Sequence, residues 1–234
     1  MELKLRLKVF RYDPANGRQG FDTFEVEYEE GMTFLTAFHR IKENVDPSLT
    51  FRHFCRAGIC GTCTVFINGF PKLACKEQVL PYILTQEEII VEPLDKFPII
   101  RDLAVNHEDV IERMKKFHTW IKEYEGEVRI PPQVSKRIEK AADCILCSAC
   151  QSYCPQVLET EYAGPLFFAK FYRFLEDPRD RDKEYRFKEA VVEGHLYHCL
   201  SCDKCNSTCP KEVEPATLIR ELMTYIKEHG QAKC

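Results

Sequence analysis

The sequence has one tryptophan and four methionines in 234 residues. It also lacks any apolar run of the ~18–20 residues that a membrane-spanning helix requires. The nearest candidate, Gly164 to Leu175, is broken by Lys170 and Arg173, so no transmembrane segment is expected. No basic stretch followed by an apolar core opens the chain, and Met1 to Lys8 alternates instead. No signal peptide is therefore expected. Neither sign of charge dominates: 33 Lys and Arg stand against 37 Asp and Glu, a net charge of −4. That balance argues against a general nucleic-acid binder, and no nucleic-acid partner is expected. G-x-G-x-x-G, the P-loop and the nucleophile elbow are all missing, as is any acid–base constellation. No catalytic residue is assigned.

Cysteine is what the chain has in excess. Thirteen in 234 residues is high for a chain without an export signal, yet below the ~8–10% of a short secreted disulfide scaffold. A chain of this length can bury real cores without disulfide staples. Without export, metal binding is a better default than disulfides, and an odd count rules out complete internal pairing.

The chain reads in two parts. Up to about Asp102 it is mostly strand. Leu3, Leu5, Leu7 and Val9 alternate with Lys4, Arg6 and Lys8, and Phe24, Val26 and Tyr28 share a face, both with period two. Thr33 is placed to cap a helix carrying Phe34, Leu35, Phe38 and Ile41 and ending before Pro47. Thr64 to Leu73, around Asn68-Gly69, reads as a hairpin, and Glu88 to Glu92 as a last strand. From Leu103 the pattern turns helical. Val110, Met114, Phe117, Trp120 and Ile121 fit one amphipathic helix; Ser135 to Ala142, Leu166 to Leu175 and Thr217 to Ile226 suggest three more. Pro131-Pro132 and the charged stretch Glu176 to Glu189 read as solvated connectors. The expected domains are 1–102 and 103–234.

The cysteines fall into three groups by spacing. Cys55, Cys60, Cys63 and Cys75 follow C-x4-C-x2-C with a fourth cysteine beyond, the plant-type pattern of a [2Fe–2S] cluster. Gly58 and Gly61 lie where one loop must bend tightly around the cluster. A structural zinc loop is the alternative, but zinc prefers two C-x2–4-C pairs. Cys144, Cys147, Cys150 and Cys154 precede Pro155, and Cys199, Cys202, Cys205 and Cys209 precede Pro210. Both match C-x2-C-x2-C-x3-C-P, whose fourth cysteine serves the other cluster in two-cluster ferredoxins. That rule assigns Cys144, Cys147, Cys150 and Cys209 to one [4Fe–4S] cluster. It assigns Cys154, Cys199, Cys202 and Cys205 to another. Cys234 is left over as a free thiol. His53 and His198 adjoin ligand cysteines, but no cysteine is missing for a Rieske-type site. Arg56 is either a solvated charge or an offset to the thiolates. With clusters and no acid–base machinery, the chain is expected to move electrons and leave bond chemistry to a partner.

The run from Cys55 to Cys63, then Asn68-Gly69 and Leu73-Ala74-Cys75, resembles the iron–sulfur subunit of succinate dehydrogenases and fumarate reductases. So do Pro98-Ile99-Ile100-Arg101-Asp102, Gly164-Pro165, Tyr172-Arg173-Phe174, Asp177-Pro178-Arg179-Asp180 and Cys209-Pro210-Lys211. The resemblance covers nearly the whole chain. It implies an α+β protein: an N-terminal β-grasp, plant-type ferredoxin-like domain, then a C-terminal α-helical ferredoxin domain. It implies an FAD-containing flavoprotein partner that interconverts succinate and fumarate, and a membrane anchor that exchanges electrons with quinone. It also implies a peripheral position, expected at the cytoplasmic face of the membrane.

Two departures stand out. Most members carry a [3Fe–4S] cluster nearest the anchor, because the position matching Cys202 is not cysteine; here a [4Fe–4S] cluster is favoured. Gln156-Val157-Leu158 and Leu200 replace the tryptophan and histidine that many succinate dehydrogenases place near quinone, so quinone is expected to be reached only through the anchor. Three other readings remain: a related flavin-dependent oxidoreductase acting on a thiol, glycolate or glycerol phosphate; a free ferredoxin-like carrier; and a zinc-stabilised interaction module.

Overall fold

A computed structural model describes residues 3–85, 88–121, 124 and 126–229. Cys234 lies outside the described residues. The chain separates into two compact units: 1–106 together with 145–152, and 107–144 together with 153–234.

The first unit is built on strands β1 (Lys4–Asp13), β2 (Arg18–Glu27), β3 (Thr64–Ile67), β4 (Phe70–Leu73) and β5 (Ile89–Glu92) with helices α1 (Phe34–Asn44) and α2 (Leu80–Thr85). The strands form one mixed sheet in the order β2-β1-β5-β3-β4. β1 and β2 are antiparallel, β1 and β5 parallel, and β3 antiparallel to both β4 and β5. This is the expected β-grasp arrangement. Its register follows the period-two pattern, which turns Leu5, Leu7, Val9, Phe24 and Val26 inward. Leu3 remains exposed. Opposite the sheet, α1 buries Phe34, Leu35, Ala37, Phe38 and Ile41. The Thr33 hydroxyl accepts from the Thr36 N–H at 3.3 Å, the expected cap. Asn68 and Gly69, both at positive φ, make the tight turn of the β3–β4 hairpin.

A short antiparallel pair, β6 (Ile99–Arg101) and β7 (Ala104–Val105), follows. Asp102, buried between them, accepts from Arg11 Nε at 3.1 Å and from the Tyr12 and Thr50 N–H groups at 3.0 and 2.8 Å. Arg11 also donates to Asp22, Asp46 and Ser48. This buried network ties β1 to the loop leading toward the first cysteines.

The second unit contains α3 (Glu108–Lys116), α4 (Pro132–Ala142), α6 (Pro165–Glu176), α7 (Lys183–Lys188), α8 (Lys204–Ser207) and α9 (Pro215–His229); the short α5 (Ala149–Tyr153) lies mostly in the segment assigned to the first unit. Phe167, Phe168, Phe171, Tyr172 and Leu175 of α6 pack with Leu218, Ile219, Leu222 and Ile226 of α9 and Ala141 of α4.

Two expectations about this half need correction. The helix expected to reach Trp120 and Ile121 stops at Lys116, and His118 turns left-handed at φ 46°. The charged stretch Glu176 to Glu189 is not a solvated connector. It contains α7, and Asp177, Asp180, Arg186 and Glu189 within it are buried. One interaction explains both. The Arg186 guanidinium donates to Asp180 Oδ2 at 3.2 Å, and to the carbonyls of His118 and Trp120 at 2.7 Å each. It is sandwiched against the rings of Phe171 and Phe174. A buried charge persists only when so paired.

Candidate metal centres

None of the twelve described cysteines is in a disulfide. Cys55, Cys60, Cys63 and Cys75 all lie in the first unit, on the loop preceding β3 and just after β4. The loop is shaped by positive φ at Arg56, Gly58 and Gly61. Its backbone N–H groups at Ala57, Ile59 and Cys60 converge on Cys55 Sγ at 3.4, 3.3 and 3.3 Å. These donors hold the Cys55 thiol down at about 6, so it is readily a thiolate. Cys63 is pushed up to about 12, first by burial and further by Cys75 and Cys60. Holding Cys63 as a thiolate would call for positive charge beside it, which iron would supply. At Gly61 a Cβ would stand 2.8 Å from Cys147 Cβ and 2.9 Å from the Ile145 carbonyl oxygen. That glycine is what lets the second cysteine run pass behind the first loop.

Segment 145–152 belongs with this unit for the same reason. Cys147 and Ala149 join the first core, and the Ser152 hydroxyl donates to the Asp95 carbonyl at 2.6 Å. Arg56 borders the same recess as Cys75 and His39. His53 is exposed, its ring 4.5 Å from that of His39. Among the described residues no three His, Cys, Asp or Glu side chains are gathered tightly enough to hold a single ion.

In the second unit, Cys154, Cys199, Cys202 and Cys205 line one small recess with Pro155, Gln156, Leu200 and Tyr162. The neighbours Cys199, Cys154 and Cys202 add to burial in pushing the Cys205 thiol up to about 12. Cys202 is the exposed member, beside an exposed Leu200. Asn206, from the same run, accepts from the Ala216 N–H at 2.8 Å in the first turn of α9. That side-chain cap anchors the run to the helix behind it. Cys209 accepts from the Val213 N–H at 3.4 Å, while Cys144 follows α4 directly. The donor sets are all thiols, and backbone N–H groups reach the Cys55 and Cys209 sulfurs, a chemistry that suits iron–sulfur clusters.

Sequence reasoning missed Tyr162. It is buried against the second recess, and its hydroxyl makes no well-formed hydrogen bond among the described residues.

Residues 6–112 match the model of a 2Fe-2S iron-sulfur cluster binding domain, and residues 139–213 that of a 4Fe-4S dicluster domain. The protein is therefore of the class that joins a [2Fe–2S] β-grasp domain to a helical 4Fe-4S domain. The fumarate reductase iron-sulfur subunit of Escherichia coli is 33% identical over 93% of this chain and 91% of its own length. A subunit of the fumarate reductase (CoM/CoB) of Methanothermobacter marburgensis is 34% identical over 97% of this chain, which spans only 45% of that protein. A chain of the Mycobacterium smegmatis Sdh1 complex in its apo form superposes over the full length of both chains, with a TM-score of 0.87 and 26% identity. The chain belongs to the family of iron–sulfur subunits of fumarate reductases and succinate dehydrogenases. Its part in such an oxidoreductase is that of the electron-transfer subunit rather than the substrate-transforming one. No described helix is long and apolar enough to cross a membrane.

Proposed function

We propose that this chain passes electrons between an FAD-containing flavoprotein subunit that interconverts succinate and fumarate and a membrane anchor. It would sit at the cytoplasmic face of the membrane and reach quinone only through that anchor. In this reading residues 1–102 serve the [2Fe–2S] group, through Cys55, Cys60, Cys63 and Cys75. Residues 103–234 serve two cubane-type groups. Cys144, Cys147, Cys150 and Cys209 hold one [4Fe–4S] cluster. Cys154, Cys199, Cys202 and Cys205 hold a second [4Fe–4S] cluster, in place of the [3Fe–4S] form common in the family.

The observation that carries this reading is the second recess, where Cys202 lines the same wall as Cys154, Cys199 and Cys205. A thiol lining that recess supports the reading of Cys202 as a fourth ligand rather than a bystander. When bound, such clusters supply one-electron carriers whose potentials depend on cluster type, sulfur hydrogen bonds and solvent access. The chain's own contribution is to hold the thiolates and aim donors at them, as the Ala57, Ile59 and Cys60 N–H groups do at Cys55. Leu200 in place of a polar residue fits an electron exit without a quinone-binding side chain from this subunit.

The test is isolation of the native complex. The account expects a co-purifying flavoprotein, succinate-dependent reduction of an artificial dye, and fumarate-dependent oxidation of the reduced dye. A complex active only with glycolate or glycerol phosphate would overturn the substrate assignment. The Methanothermobacter relative, named for CoM/CoB, supports a second reading in which fumarate reduction draws on a donor other than quinol. Fumarate reduction that proceeds with thiols and fails with quinols would favour it.

A further inference from the structure

We propose that Tyr162 sets the reduction potential of the third cluster by donating a hydrogen bond from its buried hydroxyl to the Cys199 thiolate. The inference rests on the assignment of a cluster to Cys154, Cys199, Cys202 and Cys205.

Three features support it. Tyr162 is only 1% exposed, and it lines the recess shared by those four cysteines. Its ring is stacked on Phe168, with centroids 5.5 Å apart and planes 29° apart, which keeps the hydroxyl from swinging out to water. That hydroxyl makes no well-formed hydrogen bond among the described residues. A buried hydroxyl is costly to leave unpaired, so one held beside a thiol recess is matched to an acceptor that the loaded site supplies. Within the recess the phenol is directed at the Cys199 sulfur. A neutral phenol has a proton to donate and a thiolate offers only lone pairs, so the bond between them runs from Tyr162 to sulfur.

The direction of the effect follows from charge. A donor aimed at a ligating sulfur stabilises negative charge there. The reduced state carries one electron more and gains more from the donor. Hydrogen bonds to cluster sulfurs accordingly raise the potential. Tyr162 is a positioning and tuning residue, not a catalytic one.

The test is an EPR-monitored redox titration of the intact complex. Tyr162→Phe retains the ring packing and removes the donor. Its third cluster is expected at full occupancy, with a midpoint shifted to more negative values. At a fixed ambient potential the reduced-to-oxidised ratio should fall by up to about tenfold, equivalent to 59 mV for a one-electron couple. The other two couples should not move. Site-specific 3-fluorotyrosine at position 162, a stronger donor, should shift the same couple the opposite way. An occupied third cluster whose midpoint is unchanged in Y162F overturns the proposal. If Y162F fails to load, an unchanged midpoint in the fluorotyrosine protein overturns it instead. A wild-type complex whose titration contains no third couple overturns the underlying cluster assignment.

Discussion

Gly61 and Gly69 share a left-handed backbone, at φ 74° and 78°, but not a neighbourhood. An added Cβ at Gly69 meets nothing within 4 Å, whereas at Gly61 it meets the Cys147 backbone and the Ile145 carbonyl. Gly69→Ala should therefore cost only the conformational strain, about 1–2 kcal/mol. Gly61→Ala adds overpacking of about 1–3 kcal/mol, because backbone cannot step aside as a flexible side chain can. Denaturant midpoints of the two variants, compared at equal m-value, should rank G61A as clearly the less stable. Cys202 makes a different kind of prediction. Cys202→Ala should leave the second recess three thiols, and oxidised protein should then give a [3Fe–4S] EPR signal that the wild type lacks. The cysteines were legible at this scale because loops that wrap a cluster admit few spacings, and the spacing is visible in one dimension. Tyr162 was not. Tyr162 belongs to no spacing that announces chemistry, although Gly164-Pro165 follows it, and its meaning comes from folding next to Cys199.

At the scale of elements, α1 and the strands were readable because burial on one face leaves a clean period of 3.6 or 2. The α4, α6 and α9 helices were readable for the same reason. The reading failed where charges are buried in pairs. Residues 177–189 look solvated by composition, yet Arg186 collects Asp180 and the carbonyls of Phe117, His118 and Trp120. Those carbonyls are drawn out of the helix that the apolar spacing extended through them. Removing one partner of such a set leaves the others buried and uncompensated. Arg186→Met should cost about 3–5 kcal/mol. The double variant R186M with Asp180→Leu should cost less than the sum of its single variants. Additivity of the two, measured by thermal or denaturant unfolding, would show that the pair is not coupled.

At the scale of the whole molecule, the fold class and family were legible because three cysteine runs and a few flanking motifs span nearly the full chain. The interleaving of the compact units was not. Segment 145–152 sits inside the second cysteine run by sequence but joins the core of the first unit through Cys147, Ala149 and Ser152. No local pattern announces that this segment will pack with the first unit. It follows from the missing Cβ at Gly61 and from a hydroxyl reaching Asp95. The central claim is that each of the three cysteine sets holds a complete cluster, the last with four irons through Cys202. The most direct measurement is EPR of the anaerobically isolated, oxidised wild-type complex, with iron and acid-labile sulfide counted on the same sample. The account predicts about ten irons and ten sulfides per chain and no [3Fe–4S] signal. A stoichiometric [3Fe–4S] signal in that intact preparation would contradict it.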